Sequence, residues 1–297
     1  MQSWFESRDS AAGQVQLPAV RTIDEKLIKQ HADLRFRTEY DYALFEYYRS
    51  AKVLAHLASV GQSVNGRVLD AGCGGGGMPL SFAEEADSVA AIDLVNRFGD
   101  AGVRLAHERD RRNLHFLQAD GQALPFLDRS FDWVFSHAVI EHVADAPKYL
   151  RECARVLRPG GRMYLSTAPY LSFAGAHLPR LKVPVPLHLL IGRKLSFGTF
   201  RFLARHAEWT LREKADENSF IKIARRNGTK ADDLLELVRI RRLRAQVAAA
   251  GFRTIHEDLY LTGTFRRLPR PLRHWVRDSP LTQDIVIGHV QYVLARD

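Results

Sequence analysis

Between Gly66 and Pro169 the chain alternates short apolar runs with amphipathic stretches. Arg67 to Ala71, Ser88 to Ile92, Leu114 to Ala119, Phe131 to Phe135 and Arg162 to Thr167 read as strands, and Met78 to Glu85, Arg97 to Arg112 and Asp145 to Leu157 as the helices between them. Parallel strands need crossover connections, so this alternation predicts a parallel sheet covered on both faces by helices. Upstream, Tyr40, Ala43, Leu44, Tyr47, Val53, Leu54 and Leu57 recur at helical spacing and Gly61 supplies a stop, so residues 21 to 60 read as helical. Beyond Pro169 the alternation stops. Residues 170 to 230 read as an insertion of loops and helices, Leu234 to Ala250 as a basic helix, and Phe252 to Leu261 and Asp284 to Leu294 as two further strands separated by an Arg- and Pro-rich loop from Phe265 to Pro280. The organisation expected is a helical extension over 1–62, a ligand-binding core over 63–169, an inserted lid or acceptor region over 170–230, and a completion of the core sheet over 231–297.

Composition narrows the class. With 46% apolar and 26% charged residues in 297, the chain is of globular type, and the only cysteines, Cys73 and Cys153, support neither a disulfide framework nor a cysteine metal site. No apolar run approaches the roughly 18–20 residues that span a bilayer, and the N-terminal stretch has no apolar signal region, so the expectation is a cytoplasmic protein. No histidine–carboxylate spacing stands out as a metal site.

The chemistry centres on Val68-Leu69-Asp70-Ala71-Gly72-Cys73-Gly74-Gly75-Gly76-Gly77, a buried strand feeding a glycine turn and a helix with Pro79 in its first turn. Gly72, Gly74 and Gly77 also fit the dinucleotide pattern GxGxxG. Three carboxylates at strand ends separate the readings. Asp70 would repel a pyrophosphate but attract an amine; Asp93, 21 residues after Gly72, can accept from two ribose hydroxyls; Asp120 can accept from an exocyclic amine such as that of adenine. Amine, ribose and adenine without phosphate describe S-adenosylmethionine.

Taken together, Val68 to Gly76, Ala91-Ile92-Asp93, Ala119 to Phe126, Phe131 to Val143 and Leu157-Arg158-Pro159-Gly160-Gly161 resemble the class I S-adenosylmethionine-dependent methyltransferases, in particular the small-molecule group of ubiquinone-pathway and sugar-tailoring enzymes. The resemblance implies a Rossmann-like α/β fold with a seven-stranded sheet whose last strand is antiparallel. It implies a cofactor site in which Asp70, Gly72 and Gly74 line the methionine end, Asp93 the ribose, and Asp120 with Gln122 the adenine, with Leu94, Gly121 and Ser136 also among the cofactor-binding residues. His137, Glu141 and His142 follow the fourth strand, which in this family faces the transferred methyl. Sugar-tailoring relatives resemble this stretch with histidines at both the Glu141 and His142 positions, so Glu141 is a departure.

Methylating a hydroxyl requires removal of its proton, and His137 or His142 is the candidate general base; the alternative is that the Glu-His pair packs or caps the next helix. The expected function is methyl transfer to a polar small or medium-sized acceptor, O-methylation of a saccharide, glycoside or other specialised metabolite being preferred over N- or C-methylation or a lipid-linked acceptor. An NAD-dependent oxidoreductase and a catalytically silent cofactor-binding partner module are the readings from other classes.

The net charge of +9 is uneven: residues 1–169 carry 20 basic and 22 acidic side chains, residues 170–230 carry 12 and 4, and residues 231–297 carry 11 and 8. The positive charge therefore gathers around the expected acceptor region. Arg180, Lys182, Arg193, Lys194, Arg201, Arg205, Arg225 and Arg226, interleaved with apolar residues, could clamp an anionic acceptor, lie on an anionic membrane surface, or form a solvated subdomain. Nucleic acid is disfavoured as a partner, because the fourth strand lacks the Asn/Asp-Pro-Pro-Tyr pattern of amino-methylating DNA enzymes. The sequence leaves the oligomeric state open.

Overall fold

The structure, a computed structural model, describes residues 17–35, 37–173, 178, 181–183, 185–212 and 238–297. Seven strands form one sheet in the order β3-β2-β1-β4-β5-β7-β6. β1 (Arg67–Ala71), β2 (Ser88–Asp93), β3 (Leu114–Gln118), β4 (Phe131–His137) and β5 (Leu157–Thr167) run parallel. β7 (Ile287–Arg296) inserts antiparallel between β5 and the edge strand β6 (Phe252–Leu261), as expected of the last strand. The central strands are buried on both faces, which explains why β1 and β4 read as continuous apolar runs rather than alternating ones.

Helices α1 (Glu25–Leu34) and α2 (Glu39–Ser59) begin at side-chain caps, Asp24 accepting from the Leu27 N–H and Thr38 from the Asp41 N–H. α2 lies on one face of the sheet with α3 (Gly77–Phe82) and α4 (Phe98–Glu108). On that face Phe135 stacks on Phe82 with ring centroids 4.0 Å apart, and Tyr164 and Trp133 close the same cluster. Each such fully buried large apolar side chain contributes on the order of 1.5–3 kcal/mol relative to exposure. The opposite face is covered by α5 (Ala146–Val156) and, further along the chain, by α8 (Ile240–Ala249).

Within the insertion, α6 (Leu187–Leu190) and α7 (Gly192–His206) build a separate small cluster from Tyr170, Leu178, Phe197, Phe200, Ala204 and Leu211. Arg180, Arg225 and Arg226 lie outside the described residues, as does the first part of the helix expected from Leu234. The expected loop from Phe265 to Pro280 is different: it contains α9 (Arg270–Asp278), because Pro271 falls in the first helical turn, where a missing N–H is harmless. The helices expected over 78–85 and 97–112 are shorter than their apolar periodicity suggested, ending at Phe82 and Glu108. Among the described residues no helix is long and apolar enough to cross a membrane.

Candidate functional site

The carboxyl edge of the parallel strands gathers the glycine turn, the ends of β2, β3 and β4, and, because β7 is antiparallel, the start of β7. The turn is fastened from below: Gly72 and Cys73 N–H groups both donate to the Ile92 carbonyl at 2.8 Å. Gly72 has φ +103, and a Cβ there would lie 2.3 Å from Val139 Cγ2, so both backbone shape and space demand glycine. Val139 is brought there by Ala138, a non-glycine residue held at φ 57 with its N–H donated to the Ser166 carbonyl at 2.9 Å. Such left-handed backbone at an alanine costs about 1–2 kcal/mol, and it sits where β4 meets the turn.

Three carboxylates surround the turn. Asp70 is 1% exposed and its Oδ2 has no hydrogen-bond partner among the described residues. Burial, with Glu46 and Asp93 nearby, pushes its carboxyl well above the usual range. Asp93 accepts from the Gly74 N–H on Oδ2 and from the Val95 N–H on Oδ1, both at 3.0 Å. Each of those oxygens keeps a second lone pair for a hydroxyl donor. Glu46, on α2, had no signal in the sequence beyond being polar on an amphipathic helix. It is buried against the turn, accepts from the Gly77 N–H at 3.3 Å, and burial raises its carboxyl to about 7.

On the adenine side, Leu94 is 64% exposed, an apolar side chain presented at the edge directly after Asp93. Asp120 is exposed at the end of β3, its Oδ1 accepting from the Gln122 N–H at 2.8 Å. Gln122 spends its amide on the scaffold, donating to Asp120 at 3.2 Å and accepting the Asp145 N–H at 2.9 Å, so it braces the start of α5. Gly121 gives room to Tyr149, whose ring a Cβ would meet at 2.7 Å. Ser136, expected among the cofactor-binding residues, has its fully buried hydroxyl 2.8 Å from Tyr149 Oη, to which it donates while Tyr149 donates to the Ala71 carbonyl at 3.1 Å. Its role is to tie β1, β4 and α5 together.

The acceptor side contains His137 at the end of β4. Its Nδ1 lies 2.8 Å from Ser166 Oγ on the paired strand. His289, on β7, stands with its ring 6.3 Å from that of His137, and its Nε2 is 3.3 Å from Gln291 Nε2. Burial pushes both imidazoles below their ordinary range, His137 strongly so, and Arg49 and the two histidines' mutual repulsion act in the same direction on His137. Arg49, from α2, has a buried Nε without a partner among the described residues. The guanidinium lies over the Phe45 ring, 5.2 Å from its centroid, and its charge acts both on the Glu46 and Asp70 carboxyls and on the His137 and His289 imidazoles. Neither His289 nor Arg49 was legible in the sequence.

Glu141 and His142 diverge. Glu141 is 1% exposed and accepts from Thr167 Oγ1 at 2.8 Å, whereas His142 is exposed on the outside of the short turn Ile140–His142. Of the two histidines expected as candidate bases, His142 faces outward and His137 inward, while Glu141 packs inward as the alternative reading had it, because a single helical turn points adjacent residues apart.

The residues fit S-adenosylmethionine on three observations: an unpartnered buried carboxylate oxygen beside the turn, a turn whose Gly72 leaves no space for a side chain, and a donor set rich in carboxylates. A pyrophosphate would meet Asp70 and Glu46 in the same space, so the arrangement disfavours a dinucleotide.

Comparison with known proteins is consistent with this geometry. Residues 69–165 match the family described as Methyltransferase domain. The uncharacterized methyltransferase YcgJ of Bacillus subtilis is 32% identical over 151 residues, 47% of this chain and 60% of that protein. The ubiquinone biosynthesis O-methyltransferase of Xanthomonas oryzae pv. oryzae is 37% identical over 101 residues, 34% of this chain and 42% of that protein. The match thus spans less than two thirds of either relative. The crystal structure of an S-adenosylmethionine-dependent methyltransferase from Mesorhizobium loti superposes with a TM-score of 0.50 at 18% identity, covering 86% of this chain and 98% of the other, and shares the fold.

Proposed function

From a core that belongs to the class I S-adenosylmethionine-dependent methyltransferases, we propose that this protein transfers a methyl group to an oxygen of a small or medium-sized acceptor bearing negative charge. The observation that carries the cofactor half is the buried, unpartnered Asp70 Oδ2 beside the glycine turn. Bound there, the cofactor supplies an electrophilic methyl on a sulfonium sulfur. Asp70 and Glu46 would hold its ammonium group, Asp93 its ribose hydroxyls and Asp120 its adenine amine, with Leu94 offering an apolar side chain at the same edge.

On the other side, His137 is the group placed to take the acceptor's proton. With Nδ1–H donating to Ser166 Oγ, the lone pair on Nε2 is the base, and the imidazole is neutral at physiological pH because its burial disfavours the charged form. Arg49, whose charge is felt at His137 and whose buried Nε has no partner among the described residues, favours an anionic acceptor. The insertion supplies the outer wall. Its exposed Val183, Leu190, Leu195, Phe202 and Trp209, the last 75% exposed, support an acceptor with an apolar portion as well as charge, and equally a peripheral contact with an anionic lipid surface.

Calorimetry with S-adenosylhomocysteine and with NAD separates the cofactor readings: tight binding of the first and none of the second is expected, and the reverse overturns the proposal. Labelled-methyl transfer to pooled anionic metabolite, glycan and lipid fractions tests the chemistry. Binding of S-adenosylhomocysteine with no labelled product from any fraction would leave the catalytically silent module as the better reading.

A further inference from the structure

A second constellation lies apart from the cofactor turn, where the last turn of α2 meets the edge strand β6. His256 and Asp258 stand two residues apart on β6, so their side chains leave the same face of the strand. His56 approaches from α2. One donor atom from each of the three lies within 4.8 Å of those of the others. Asp258 Oδ2 is 3.1 Å from His256 Nε2 and 3.5 Å from His56 Nδ1. Donors bound at about 2.0–2.1 Å around a tetrahedral ion stand about 3.3 Å from one another, so these separations match a tetrahedral edge. The two imidazole rings are splayed at 53° with centroids 5.7 Å apart, not stacked, as two ligands converging on one point would be.

Within the cluster His256 Nε2 and Asp258 Oδ2 pair with each other, while one nitrogen of His56 is left without a partner. The His56 side chain is 11% exposed, and its Nε2 is buried with no partner among the described residues. The Tyr260 hydroxyl lies beside the cluster, 3.4 Å from the same Asp258 Oδ2 and 3.2 Å from Gln291 Oε1. Arg277, which feels the charge of Asp258, is paired with Asp278 at 2.7 Å. Two imidazoles and one carboxylate, with the partly exposed outer side of His256 and Asp258 open to water, are a donor set suited to zinc and to neighbouring divalent transition metals rather than to magnesium or calcium.

We propose that His56, His256 and Asp258 bind a divalent transition-metal ion of the zinc class, with water completing its coordination, and that this ion pins the N-terminal helix to the edge of the sheet. The site does not depend on the methyl-transfer reading. Asp258, Gln291, Ser166 and His137 are successive partners across β6, β7, β5 and β4, which puts the site three strands from the candidate base and makes it a fastening for α2 rather than part of the reaction. It is also legible only after folding, since His56 stands 200 residues before His256 in the chain and only His256-x-Asp258 is local.

The test is titration of the full chain, freed of metal by a chelator, with Zn2+ by calorimetry and with Co2+ by visible absorption. One equivalent of Zn2+, intense Co2+ bands of four- or five-coordinate type, and a melting temperature raised by several degrees are expected. His256→Ala and Asp258→Asn are each expected to weaken Zn2+ by tenfold or more while S-adenosylhomocysteine binding is retained, which shows that the variants fold. His56→Gln, a milder change, serves should either variant fail to fold. Weak octahedral Co2+ bands, no Zn2+ binding by the wild type, or equal binding by the wild type and the variants overturns the proposal. Loss of S-adenosylhomocysteine binding by the wild type itself would count against the cofactor reading and leave the metal result standing.

Discussion

The two ends of the site use burial to opposite effect. At the glycine turn, burial drives the carboxyls of Asp70 and Glu46 upward; at the far end it drives the imidazoles of His137 and His289 downward. In both places the penalty falls on the charged form, so carboxyls lean toward their protonated state and imidazoles toward their deprotonated one. At both ends the surroundings thus favour the uncharged side chain. Arg49 acts on both, lowering the Glu46 and Asp70 carboxyls and disfavouring protonation of both histidines. The division teaches that an ammonium-bearing ligand and a hydroxyl to be deprotonated can be served within one fold by the same low-dielectric surroundings, through the choice of side chain alone.

The strongest way to break this comparison is His137→Ala. Turnover is expected to fall by about 10²–10⁴ with S-adenosylhomocysteine affinity unchanged, as measured by steady-state kinetics beside calorimetry. Because the folded histidine titrates below its ordinary value, wild-type activity should hold from neutral pH to below about 6.5 and fall only on further acidification, as Nε2 takes a proton. An unchanged rate in the variant removes the base from the proposal.

Glu46→Gln probes the other end. The folded carboxyl titrates near 7 instead of 4.5, so ionising it costs wild-type stability progressively as pH rises through that window. The glutamine variant should therefore match the wild type below about pH 4.5 and exceed it above pH 7, by up to about 3 kcal/mol in urea unfolding of the ligand-free protein. The same change should weaken S-adenosylhomocysteine binding, most visibly at alkaline pH. A variant less stable than the wild type at pH 8 would show that Glu46 braces the turn instead.

Arg49→Met sharpens the comparison with a smaller effect. An anionic acceptor should show a KM raised about tenfold, in line with loss of one charge-assisted contact. The acid limb of the rate profile should move to higher pH, since Arg49 no longer opposes protonation of His137. An unmoved limb would separate the guanidinium from the base.

The cofactor end was written in the chain as ten consecutive residues, Val68 to Gly77, with Asp93 and Asp120 each closing a neighbouring strand, so its outline could be read directly. The proposed acceptor end is assembled from a helix before the core and a strand more than 200 residues after the glycine turn. Glu46 and Arg49 read as ordinary polar positions on an amphipathic helix until α2 is laid on the turn. His289 reads as one residue of an alternating strand until the antiparallel course of β7 delivers it to the carboxyl edge. Ser136 shows the converse: its position after Phe135 suggested a ligand, but the partner that claims its hydroxyl, Tyr149, comes from a helix whose contacts no local pattern reports. In α9, side-chain charge and proline suggested a loop, where the position of Pro271 in the first turn allowed a helix.

Helix α2 sits so tightly on the glycine turn that a methyl group at Gly77 would fall 1.7 Å from the Ala43 carbonyl oxygen. There is no slack on that side through which a spent cofactor could slip out. Exchange must run along the strand ends, past the exposed Leu94, or wait for the helix to lift. Product residence time, and with it sensitivity to inhibition by the demethylated cofactor, is thus set by how firmly an N-terminal helix outside the matched family segment is held down.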